Sequence, residues 1–163
     1  MKPIRSGLWS ALCLTIAAAL PAAAAEKPIN ISLFTPISLV KAEDGVSAFR
    51  FNFIYGRNTS VKVVDIGLIN HTTKGESSGL QLGTVNFTEG TMNGLQLGFI
   101  NYNKGTAKVF EWGGLNYAEK AGGLQLAFLN YAGSIDGVQI GVVNIIKKGG
   151  MFPVMIIANW GKS

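Results

Sequence analysis

A stretch of the form Gly-hydrophobic-Gln-hydrophobic-Gly, closed three residues later by Asn, returns about every fifteen residues, as in GLQLGTVN, GLQLGFIN, GLQLAFLN and GVQIGVVN. A period of that length means that one small structural unit is copied and that each copy buries its surface against the next. The closing residues are Asn70, Asn86, Asn101, Asn116, Asn130, Asn144 and Asn159, spaced by 16, 15, 15, 14, 14 and 15. Tyr55 stands one period upstream and completes eight units. Five positions before each marker the chain reads Arg50, Asp65, Gln81, Gln96, Glu111, Gln125, Gln139 and Val154. Seven of these eight are polar, each between apolar neighbours, and this period-two alternation predicts strands.

The two faces of a unit are chemically opposite. One carries Leu95, Leu97, Phe99 and Asn101; the other carries Gly94, Gln96, Gly98, Ile100 and Tyr102. Glycine weakens a strand interior, so its recurrence on the Gln face indicates a close approach to the backbone there. TTKGE, FTEGT and YNKGT separate the units and suit three-residue hairpin loops ending in a left-handed Gly. The core GLQLG is nearly palindromic and so matches a reversed neighbour. Together these favour an all-β fold of about eight antiparallel strands closed into an up-and-down barrel, since closure removes exposed edges. A parallel β-solenoid with Asn and Gln ladders is the alternative. It is disfavoured because an eight-residue alternating run leaves only about seven residues for a return path.

With the Gln face inward, Arg50 is matched by Asp65 or by Glu111, as a buried charge requires, and Leu, Val, Phe and Ile face lipid, the pattern of an outer-membrane barrel. With the faces reversed, the leucines form a core and the Gln row meets water. The low share of charged residues, 14%, favours lipid. Against it, the apolar band is short and so are the loops at both ends.

Outside the repeat, Lys2 and Arg5 precede the apolar run LWSALCLTIAAAL and an Ala-x-Ala ending at Ala25. Residues 1–25 are therefore expected to be a cleaved secretory signal peptide. Cys13, the one cysteine, lies inside it after Leu12, which does not fit a lipoprotein signal. Residues 26–45 form an N-terminal arm or extra strand, in which Ile29, Ile31 and Leu33 alternate with polar residues before Pro36, and residues 46–163 form the β-repeat domain. A formal charge of +5 with scattered basic residues gives no nucleic-acid footprint.

The repeat G-[LV]-Q-[LI]-[GA]-x-x-N together with PVMIIANW, over residues 48 to 160, resembles the secreted bacterial surface-repeat proteins. That family has no established activity or catalytic residue, so the resemblance implies an envelope location and nothing more. The unit KVFEWGGLN departs from the pattern, with Val109 and Glu111 replacing Gly and Gln.

No residue pattern points to an enzyme, a cofactor or a metal. His71, the sole histidine, follows Asn70 at a strand end and reads as a solvated loop residue. Asp65 and Glu111 as an acid and base pair give way to a structural ion network with Arg50. Phe87, Tyr102, Tyr117 and Tyr131 follow the marker Asn and fit either a membrane-interface girdle or strand-end packing. Acceptor triplets at Asn58, Asn70 and Asn86 read as coincidence, since two of them are repeat markers. The expected role is a non-catalytic structural or surface-interaction protein with the outer-membrane bilayer as partner. A periplasmic or secreted binding protein with an unknown protein partner stands beside it.

Overall fold

A computed structural model describes residues 25–162; the signal segment and Cys13 lie outside these, apart from Ala25. Nine strands follow in chain order: β1 (Glu26–Phe34), β2 (Ile37–Ser38), β3 (Gly45–Asn58), β4 (Lys62–Thr72), β5 (Glu76–Thr88), β6 (Thr91–Leu97), β7 (Ile100–Trp112), β8 (Leu115–Lys148) and β9 (Val154–Gly161). From β1 and β3 through β8 successive strands pair in parallel, each residue beside its equivalent one unit on: Gln81 with Gln96, Asn86 with Asn101, Gln96 with Glu111, Asn101 with Asn116. The fold is a parallel β-solenoid, the alternative weighed above, and the antiparallel barrel is corrected.

The physical reason lies in where the return path goes. A coil does not need one strand and a separate connection, because both halves of the unit are strand. In one coil Thr91–Leu97 runs along one flank and the chain from Ile100 runs back along the other, with a sharp corner at Gly98-Phe99. The palindromic core fits parallel stacking equally well, and identical side chains one rung apart are what parallel, in-register pairing brings together.

The stretches expected as hairpin loops are the opposite corners of the coil. Their glycines are needed for space and do not carry the left-handed backbone expected of them: a Cβ on Gly105 would stand 2.0 Å from the carbonyl oxygen of Gly90 one coil below. The left-handed glycines within the repeat, Gly79, Gly94, Gly123 and Gly137, are on the Gln flank instead. Gly94 has φ 125°, and a Cβ there would stand 2.3 Å from Gly79 O, the close approach expected from the sequence. Val63, in the same column, takes φ 74°, which for a β-branched side chain costs about 1–3 kcal/mol.

Both ends depart from the repeat. β1, the extra strand, pairs in parallel with β3, and β2 folds back antiparallel on β1. At the other end β9 turns antiparallel to β8, with Asn159 opposite Gln139. The last unit is thus reversed, and Asn159 is not a rung of the Asn column. At the first marker a bulge between Asn52 and Tyr55 sets Gly56 beside Asn70 and Tyr55 beside Ile69. The position assigned to Tyr55 is filled by Asn52, whose Nδ2 donates to Asn70 Oδ1 at 2.9 Å.

The interior has a polar half and an apolar half. The Gln and Asn columns occupy the half near the Gly98-Phe99 corner; Val46, Val61, Met92, Ala107, Ala121 and Ile135 fill the half near the charged corner. Asn101 is fully buried. One N–H donates to Asn116 Oδ1 at 2.9 Å and another to Trp112 O at 3.1 Å, while its oxygen accepts from Asn86 at 2.8 Å. Replacing it with Ala leaves buried groups on both neighbouring coils unpartnered, at about 1–3 kcal/mol for each. Asn101→Ala is expected to lower the unfolding free energy by about 3 kcal/mol in urea titrations. Asn159→Ala, which removes one donation to Phe152 O and one acceptance from the Trp160 N–H and disturbs no neighbouring rung, is expected to cost about 1 kcal/mol.

Candidate functional site

The polar row expected from the sequence is the spine of the interior. Arg50, Asp65, Gln81, Gln96, Glu111, Gln125 and Gln139 are all buried and lie one above another. Arg50 is matched by Asp65 and not by Glu111: Nε and Nη2 donate to the two carboxylate oxygens at 2.7 Å each, a bidentate pair. Asp65 then accepts from Gln81 Nε2 at 2.8 Å, and Gln81 Oε1 accepts from Gln96 Nε2 at 2.6 Å. The sequence repeats above the second acid, where Gln125 Nε2 donates to Glu111 Oε2 and Gln139 Nε2 to Gln125 Oε1 at 2.8 Å. A carboxylate only accepts, so Asp65 and Glu111 each force the amides above them to donate toward the N-terminal end. The row stops at Gln139, whose Oε1 has no partner, because β9 is reversed and Val154 is not the next rung.

The marker column runs with the opposite polarity. Asn70, Asn86, Asn101, Asn116 and Asn130 each donate to the Asn one coil further on at 2.8–3.0 Å, ending on Asn144. Their second N–H closes the coil on the carbonyls of Leu82, Leu97, Trp112, Leu126 and Ile140. Asn70 and Asn86 are therefore structural, which supports reading their acceptor triplets as coincidence.

Sequence reasoning missed the residues that serve the charged rungs. Asn58, Thr72, Thr88, Asn103 and Ala118 form one inward column. Asn appears in it where a charge needs a partner: Asn58 Oδ1 accepts from Arg50 Nη1 at 3.2 Å, and Asn103 Nδ2 donates to Gln96 Oε1 at 2.8 Å and to Glu111 Oε1. The available signal was co-occurrence, Asn103 standing two residues after a marker in the one unit whose next polar position is Glu. Val109, the other departure in that unit, turns inward and joins the apolar cluster, with no break in register.

Asp65 and Glu111 lie in separate parts of the row, so the imagined acid and base pair is not assembled. Burial pushes the Glu111 carboxyl up to about 7, against the pull of the amides of Gln125 and Asn103. His71 is not a loop residue: it sits in β4, packed 4.6 Å from the Phe87 ring and 6.1 Å from that of Tyr55. Desolvation holds its pKa below the usual value even though Nε2 meets Glu89 Oε1 at 2.9 Å. Phe87, Tyr102, Tyr117 and Tyr131 continue that external column at 4.5–5.2 Å between centroids, the last three stacked with nearly parallel rings. Among the described residues no three His, Cys, Asp or Glu side chains gather as a metal site, and no helix is long and apolar enough to cross a membrane.

The outer surface inverts the interior. Where the Gln and Asn columns lie inside, the outside carries Leu95 and Leu97 on one flank, Ile100 and Tyr102 on the other, and Leu68, Phe99, Phe128 and Val142 along the corner between them. Phe99 is 68% exposed and Phe128 73%. The charged side chains Lys74, Lys104, Glu119, Lys120, Lys147 and Lys148 line the opposite corner. A groove of about 660 Å³ on the Leu95 flank runs beside Lys108, Lys120 and Asp136, open to solvent along its length.

Comparison with protein-family models, with curated proteins and with solved structures finds no match to this chain.

Glu111 supplies a pH test. Its folded-state pKa lies above its ordinary value of 4.5, so its contribution to stability is fully present below about pH 4.5 and is lost as the pH rises through about 7. The loss amounts to about 3 kcal/mol at about 1.4 kcal/mol per unit. Glu111→Gln, which keeps the shape and removes the charge, is expected to raise the thermal midpoint at pH 8, leave it little changed at pH 4.5, and flatten the profile between.

Proposed function

We propose that this protein is a non-catalytic β-solenoid of the cell envelope that works as a binding module through its outer surface. One observation carries the reading: an apolar band stands exposed along the rod, formed by the two flanks and by Leu68, Phe99, Phe128 and Val142 at the corner, where Thr84 and Gly114 interrupt them, while the repeat acids Asp65 and Glu111 are sealed inside. Singly exposed apolar residues are ordinary, but a contiguous apolar band is the mark of an interaction surface. Glu111 and Asp65 have their oxygens committed to Asn103, Gln125, Arg50 and Gln81, so neither is placed to reach a substrate. The envelope location rests on the signal-like residues 1–25 and on the resemblance to secreted surface-repeat proteins. This is the periplasmic or secreted alternative, with the Gln face removed from the binding role and the apolar columns put in its place.

The test is site-specific photo-crosslinking in the native host, with the reactive side chain at Phe99 or at Lys104. Crosslinked products from position 99, few from position 104, and recovery in envelope fractions are expected. Recovery in the cytoplasm, or crosslinking concentrated at position 104, would contradict the proposal.

A further inference from the structure

Resting on that reading, we infer that the partner is a lipid bilayer surface, into which the rod inserts its Phe99 corner lengthwise while the lysine corner stays in water. The shape of the apolar surface selects the partner. Apolar side chains cover a convex corner and both flanks leading away from it: Leu97 and Trp112 on one side, Ile100 and Leu115 on the other, Phe99 and Phe128 at the tip. A second copy or a flat protein face would cover one flank and leave the other in water. A fluid interface closes around all three.

The distribution of polar groups across the coil sets the depth. Moving from the tip, the central coil passes from Phe99 through Ile100 to Tyr102 and then Lys104, and its neighbours keep the aliphatic and aromatic steps with Glu89 and Glu119 at the last position. This is the order of a membrane interface, with apolar side chains deepest, amphipathic rings at the boundary and charges in water. The rings of Tyr102, Tyr117 and Tyr131 stack in one column, so they form a straight boundary parallel to the rod axis. Lys104, Lys147 and Lys148 lie beyond it on the same side of the tip, interleaved with Glu89 and Glu119, and the lysines are placed to meet anionic headgroups.

The same arrangement excludes a rod standing across the bilayer. The charged corner runs the whole length of the solenoid, so insertion end-on would carry it through hydrocarbon, where each lysine is costly. The polar interior raises no such obstacle: apart from Gln139 Oε1 its amides are paired within the rod, as hydrocarbon requires of any group below the headgroups.

Purified protein mixed with phosphatidylcholine vesicles, with and without phosphatidylglycerol, tests this by flotation and by tryptophan emission, Trp112 being 62% exposed beside the tip. Flotation with the vesicles, stronger on the anionic ones, and a blue shift are expected. The double substitution Phe99→Ser and Phe128→Ser should reduce vesicle partitioning at least tenfold while the circular dichroism is unchanged, and this control also separates the tip from any contribution of residues 1–25. Lys104→Ser should remove part of the anionic preference and leave the shift. Absence of flotation, or flotation that the double substitution leaves intact, would overturn the inference. Should the protein instead self-associate, or capture a protein in the crosslinking experiment, through Phe99 and Phe128, the lipid partner falls and the binding-module reading stands. If the tip residues change no interaction, both fall.

Discussion

A buried side-chain amide is costly unless both its N–H groups and its oxygen find partners, and this chain meets that demand by repetition. Along the marker column each Asn meets an Asn one coil away, and along the other column the glutamines meet a Gln or a carboxylate in the same position. A rung spacing of about 4.8 Å brings equivalent amides within 2.6–3.0 Å of each other along both columns. The rest of the structure follows from this pairing. It works only in parallel register, which dictates a solenoid, and it needs glycine where successive coils approach too closely for a Cβ, as at Gly94 and Gly105. It also fills much of the interior with amides, leaving the leucines, isoleucines and phenylalanines of the repeat outside.

The two charged rungs show how strict the pairing is. Asp65 ends the lower part of the Gln column with Arg50 beneath it, and Glu111 interrupts the column between Gln96 and Gln125. In the adjacent inward column Asn58 accepts from Arg50 and Asn103 donates to Glu111, at positions where other coils have Thr72, Thr88 or Ala118. The reversed strand β9 ends both columns: Asn144 turns its N–H groups to backbone carbonyls, and Gln139 is left with a free oxygen. A rod assembled this way has little chemistry to offer from within, and its function must be sought on its surface.

Much of this was legible in the sequence. The period, the strand character and the polar row from Arg50 to Gln139 can be read from spacing and alternation, whereas the same pattern leaves open which face is inward and whether Arg50 meets Asp65 or Glu111. What misled was the strand direction. A nearly palindromic core is compatible with either order, and TTKGE has the composition of a hairpin loop as well as of a solenoid corner. The decisive consideration was energetic: identical amides in a dry interior want identical neighbours in register, which antiparallel strands do not provide along a whole column. Tyr55 was misplaced because a bulge after Asn52 shifts the register by residues that spacing alone does not reveal. Asn159 was misplaced because strand reversal leaves no mark on the period.

Parallel register is the central claim, and a paired-cysteine crosslink tests it most directly, since the only native cysteine, Cys13, lies in the leader-like segment. Tyr102 and Tyr117 are register partners on adjacent coils, about 4.8 Å apart between Cα atoms and so within disulfide reach. In a hairpin meander the same residues would sit at opposite ends of neighbouring strands, roughly 40 Å apart. Tyr102→Cys with Tyr117→Cys, in a Cys13→Ser background, is predicted to close an intramolecular disulfide under mild oxidation with the fold retained. A double variant that folds and keeps two free thiols would contradict the solenoid and everything derived from it.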